Sequence, residues 1–199
     1  KNAFVIMMTY KANAIAEIPV EQMVALSGGI FILPFFLFSA LAGQMADKFS
    51  KSRMVQWIKL CEVGVMGLGA AGFLLENLRI FLAALFLMGV QSAFFGPVKY
   101  SILPNLVGKK RLLSSNARVN MGTFIAILAG TIIGGVTITI PKIGLIIVAT
   151  TVVLLSILGF LTSRKLPHLE PSAPNLLIQK NPITTTITIL RSAYENKTI

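Results

Sequence analysis

Long apolar runs separated by short polar breaks organise this chain. Residues 23–45, 54–75, 80–98, 119–140 and 143–161 are each predominantly apolar. Each approaches the roughly 20 residues that an α-helix needs to cross a bilayer. Residues 3–10 read as the tail of a further span, and residues 11–21 as a polar connection. Glu76-Asn77-Leu78-Arg79 and Pro141-Lys142 form tight turns, whereas residues 104–115 form a loop containing Lys109, Lys110 and Arg111. Barrel strands alternate in polarity over about 10 residues, and these runs are too long and continuous for that. The pattern therefore predicts an all-α, polytopic membrane protein, with six spans over residues 1–163, the first truncated, and a polar linker over 164–199.

Composition agrees: 55% of the 199 residues are hydrophobic and 13% are charged, about half the charge of a soluble domain. The net charge of +11 does not point to nucleic acid, because the bases sit at the ends of apolar runs. Lys48, Lys51, Arg53, Lys109, Lys110, Arg111, Arg164 and Lys165 flank one side. Lys11, Arg79 and Lys142, mixed with Glu17, Glu21 and Glu76, flank the other. The positive-inside rule places the first group in the cytoplasm, and alternate loops then fall on alternate sides throughout. The chain begins with Lys1 rather than Met and has no cleavage pattern after its first apolar stretch, so it is read as an internal piece of a longer protein. In the linker, Asn181-Pro182 is a good helix start. Ile183, Ile187 and Leu190 then share a face, with Arg191 near the end, so the segment reads either as a short helix lying on the membrane surface or as a disordered interdomain linker.

The single cysteine, Cys61, excludes an internal disulfide and most zinc sites. The lone His168 lies in the polar linker, and Ser101, Ser114 and Ser115 have no histidine nearby. No catalytic motif and no cofactor is expected.

The charged residues that remain are candidates for mechanism. Gly43, Asp47, Lys48, Lys51 and Arg53 fall in the turn Gly43–Arg53, where a glycine, an acid and a cluster of bases join two spans. A carboxylate at such a turn can sit against a helix N-terminus of another bundle, where the dipole favours anions, and so act as a gate. Lys59 and Glu62 lie within the third span, three residues apart and hence on one face. Charge inside a membrane is costly and points to a cavity or a partner. Glu62 either contacts a substrate or neutralises Lys59, which is near enough to the end of its span to snorkel. Gly96-Pro97 is expected to kink or end the fourth span, leaving Lys99 to reach the head groups. Arg118 and Asn120 open the fifth span and either line the mouth of a cavity or, in the case of Arg118, only face lipid phosphates. Further along it, Ala126, Gly130 and Gly134 make a small-residue stripe suited to close helix packing.

The turn Gly43–Arg53 resembles the signature loop of the major facilitator superfamily, which implies the amino-terminal six-helix half of a twelve-helix fold. Phe95-Gly96-Pro97-Val98-Lys99-Tyr100-Ser101-Ile102-Leu103-Pro104 is similar to the fingerprint of bacterial lysophospholipid transporters, notably those fused to acyl-ACP synthetase and acyltransferase domains. Met121–Leu128 with Gly130–Gly135, Pro34–Ala40 and Lys180-Asn181-Pro182 resemble other parts of that family. The resemblance implies movement of lysophosphatidylethanolamine-class lipid across the bacterial inner membrane for reacylation. It also implies a second six-helix half and possible fused acyltransferase and synthetase partners. Asn120 stands where many relatives carry an acid, and the acid expected in the first span would precede Lys1. Two other readings share the spans: a facilitator-type exporter of drugs or small solutes, and a membrane anchor for acyltransferase domains.

Overall fold

The computed structural model describes residues 19–178 except Glu76 and Lys142. The expected first span over residues 3–10 and the surface helix after Asn181 lie outside the described residues. Within them the chain is helical: α1 (Val20–Lys48), α2 (Lys51–Leu74), α3 (Leu78–Ser101), a short α4 (Leu103–Val107), α5 (Leu112–Ile138) and α6 (Gly144–Ser163). Five of the helical stretches are long and apolar enough to cross a membrane, so the chain is a multi-pass membrane protein.

The helices overrun their apolar runs for a physical reason. An apolar run measures the hydrocarbon layer, about 30 Å thick, whereas the 29 residues of α1 extend roughly 43 Å at 1.5 Å per residue. Helical hydrogen bonding therefore continues into the head-group layer, where polar residues are tolerated. The loop expected over 104–115 shrinks accordingly. Most of it is taken up by α4, a 3-10 turn at Lys109–Arg111 and the first turn of α5. Gly108, at φ 71° and ψ 164°, caps α4 in a backbone conformation essentially restricted to glycine. Pro97 does not end its helix, as α3 runs through it to Ser101. Its missing N–H leaves the Ala93 carbonyl without its usual intrahelical donor, and the helix continues for one more turn regardless. At the start of α3, the Asn77 side chain accepts bonds from the N–H groups of Arg79 (3.0 Å) and Ile80 (3.2 Å), an N-cap.

Two apolar clusters lie at opposite ends of the bundle. At one end Met23, Phe73, Phe81, Leu85 and Met88 are buried together, with Ile138 and Leu145 packed against them. Phe73 and Phe81 meet edge to face, ring centres 5.7 Å apart. At the other end Ala46, Met54, Val55, Ile58, Val98, Ile102 and Leu103 form the second cluster, flanked by Leu112, Leu166 and Leu169. This is the end that carries Lys48, Lys51, Arg53, Arg111, Arg164 and Lys165, so the helices run alternately up and down as the charge pattern requires.

Helix α1 packs mainly on α3, and α2 packs on both α3 and α6. The α1–α3 crossing is closest at Gly89: a Cβ there would meet the Phe31 carbonyl oxygen and lie 3.0 Å from the Pro34 ring. By contrast α5 buries no residue completely.

Candidate functional site

Three groups of polar side chains stand out: one within the spans, one linking α3 to α5, and one at the turn between α1 and α2. The inner group joins three helices. On α2, Lys59 Nζ donates to Glu62 Oε2 at 2.7 Å. From α3, Gln91 Nε2 donates to the same oxygen at 3.0 Å. The ammonium also lies 4.8 Å from the centre of the Phe95 ring, close enough for cation–π attraction. A Cβ built on Gly159 of α6 would sit 3.8 Å from Lys59 Nζ. Both charged side chains are about one-fifth exposed (21% and 19%). Spacing of i and i+3 on one unbroken helix brings the two charges together. Low dielectric then makes each necessary to the other. Of the two roles weighed for Glu62, neutralising Lys59 is the one visible in this arrangement. Gln91 escaped attention as a site residue, since a polar residue on another helix has no local spacing to betray its partner.

A second polar set links α3 to α5. Lys99 Nζ donates to Thr123 Oγ1 at 2.7 Å and lies 5.3 Å from the centre of the Tyr100 ring. Tyr100 donates to Asn120 Oδ1 at 2.7 Å. Lys99 and Asn120 are thus brought into one network, with Tyr100 and Thr123 added to it. Arg118 is exposed and makes no side-chain hydrogen bond or ion pair among the described residues.

At the turn between α1 and α2 the predicted residues separate. Gly43 lies within α1 and a Cβ there would meet open space. Asp47 and Arg53 are exposed and Lys48 is half-buried. Lys51 is buried at 2% exposure, and no acid accepts its charge among the described residues. It donates instead to Ser172 Oγ. Its neighbours behave alike: Ser50 Oγ donates to the Leu169 carbonyl at 2.7 Å, and Ser52 Oγ to the Pro167 carbonyl. The backbone N–H of Ala173 donates to the Asp47 carbonyl at 2.9 Å. The segment that follows α6 therefore lies across the turn.

The small-residue stripe of α5 is not crossed closely at Gly130, which a Cβ would leave without a contact inside 4 Å. Gly130 and Gly134 line an apolar groove of about 600 Å³, with Ile147, Val148, Thr151 and Leu155 of α6 as its other wall. No group of three or more His, Cys, Asp and Glu suited to a metal exists among the described residues.

Comparison with known proteins gives these features a family. The chain is similar to proteins named lysophospholipid transporter LplT. That of Salmonella enteritidis PT4 is 36% identical over 118 residues, covering 59% of this chain and 26% of the relative. Those of Escherichia coli K12/DH10B (35% over 118 residues, 59% and 27%) and Photorhabdus laumondii (34% over 109 residues, 53% and 25%) are similar too. The match thus spans about a quarter of the length of these relatives. No solved structure matches the chain. The profile of the Major Facilitator Superfamily matches residues 2–195, nearly the whole sequence, and the chain belongs to that superfamily.

Proposed function

We propose that this chain is the amino-terminal half of a lysophospholipid transporter of the bacterial inner membrane. Its substrate would be lysophosphatidylethanolamine-class lipid, moved inward for reacylation. The observation that carries this reading is the 34–36% identity to LplT proteins. In the same reading a second six-helix half completes the protein, the basic end faces the cytoplasm, and two bundles rock about a central site. Acyltransferase and synthetase domains would be fused partners or separate ones.

The inner polar group offers a physical account of substrate choice. In the arrangement described, Lys59 and Glu62 satisfy each other. An incoming cation that takes Glu62 leaves Lys59 unpaired, and an incoming anion that takes Lys59 leaves Glu62 unpaired. Either result is costly inside a membrane. A zwitterionic head group avoids both: its phosphate replaces Glu62 at Lys59 while its ammonium replaces Lys59 at Glu62. The single acyl chain remains in lipid meanwhile.

The test is uptake of labelled lysophosphatidylethanolamine and lysophosphatidylglycerol by vesicles containing the complete protein. Glu62→Gln is expected to slow the zwitterionic lipid more than the anionic one. Equal slowing of both would make Glu62 a structural partner of Lys59 alone. Failure of the unaltered protein to move either lipid would favour the solute exporter or the anchor.

A further inference from the structure

The turn between α1 and α2 carries an interaction surface whose occupant is part of the same chain. We propose that residues 166–173 are a clip that docks on this turn and fixes it to the end of α6, so that the basic end of the bundle moves as one rigid unit.

Four polar contacts hold the segment, and they come from successive parts of the turn: the Asp47 carbonyl, Ser50 Oγ, Lys51 Nζ and Ser52 Oγ meet Ala173 N–H, the Leu169 carbonyl, Ser172 Oγ and the Pro167 carbonyl respectively. Apolar contacts reinforce them, because Leu166 and Leu169 pack against the cluster of Ala46, Met54, Val55 and Val98. The outcome is burial that the turn would not achieve alone. Ser52 and Lys51 are each 2% exposed, although both sit at the start of a helix at the basic end. The charge pattern of the turn divides as a result. Lys51 is spent on the clip, while the Asp47 carboxylate and Arg53 face outward. Both ends of the contact belong to the same group of helices, α1–α2 and α6. The clip can therefore stay closed throughout a cycle in which this bundle rocks against another.

Thiol labelling in inside-out membrane vesicles tests the idea on the full-length protein, in a background with Cys61 and any other cysteines changed to serine. Arg53→Cys should react rapidly with a membrane-impermeant maleimide, and Ser52→Cys at least tenfold more slowly. Adding Ala173→Pro, which removes the N–H that bonds Asp47, together with Ser172→Ala should bring Ser52→Cys to within threefold of Arg53→Cys. Equal labelling of the two positions without the clip changes, or no response to those changes, would overturn the proposal. Joining Lys51→Cys to Ser172→Cys with a short bis-methanethiosulfonate tests rigidity. A link that forms and leaves transport within twofold of the same double-cysteine protein before linking supports a permanent clip. A link that forms and stops transport, with reductant restoring it, would overturn rigidity. The labelling arm reads the contact itself and needs no transported substrate.

Discussion

Two lysines near the basic end of α2 meet opposite fates. Lys59 stands on an unbroken helix with Glu62 one turn ahead, and the two pair at 2.7 Å. Lys51 has Asp47 four residues behind it, the usual distance for a helical ion pair, yet the two do not meet. The helix stops at Lys48 and restarts at Lys51, so the register that would align them is lost. Within a membrane span an unpaired charge is costly, and Lys59 is matched by a carboxylate. At the turn Lys51 donates to a neutral hydroxyl instead, and Asp47 is left exposed. Sequence spacing thus predicts an ion pair only where the helix that carries it is continuous.

Removing each lysine should expose that contrast. Lys59→Met leaves the Glu62 carboxylate with Gln91 alone. Its expected cost is roughly 1–3 kcal/mol, as for a buried polar group deprived of its partner, read as lower membrane abundance and a lower melting midpoint. The double change Lys59→Met with Glu62→Gln should recover at least half of the loss, because no charge is then stranded. A double variant no better than the single one would mean that the pair is not compensating. Gln91→Leu removes a single bond to the carboxylate while the lysine stays, so about 1–2 kcal/mol is expected. Double-mutant analysis with Glu62→Gln should show the two changes to be non-additive.

Lys51→Met should cost less than either, about 1 kcal/mol or below. Its partner is neutral, no acid is left behind, and methionine refills the volume of the lysine stem. A loss as large as that of Lys59→Met would show that the turn depends on the charge itself.

The spans were legible because hydropathy is a local property, and the Lys59–Glu62 pair because helical spacing is local too. The clip was not. Its contacts join residues 115–126 apart, and three of the four acceptors are backbone carbonyls, which every residue has. No side-chain type marks them. Glycine shows a related limit. The spaced pair Gly130 and Gly134 reads as a packing stripe, and among the described residues it lines a groove. Gly89, paired at the same spacing with Ala93 and no more conspicuous in sequence, is where α1 and α3 approach so closely that a Cβ would meet a backbone carbonyl. Close approach depends on where helix axes cross, and spacing within one helix does not contain that information.

Asp47→Asn should have the smallest effect, and one confined to transport. Asparagine keeps the shape of the side chain, and the Asp47 carbonyl that accepts from Ala173 is backbone, so the clip should survive. Abundance and slow labelling of Ser52→Cys should then be unchanged. What is lost is a negative charge at an exposed position, which in the proposed gate would meet a helix N-terminus of a second bundle. Such contacts contribute about 0.3–1 kcal/mol, hence a change of roughly two- to five-fold in the balance between two transport states and a comparable fall in rate. Salt supplies the internal check. Added salt screens exposed charges, so the gap between the unaltered protein and the variant should narrow as salt rises. Normal transport by the variant at normal abundance would remove Asp47 from the gate. A defect that does not respond to salt, accompanied by fast labelling at position 52, would assign Asp47 to holding the clip instead.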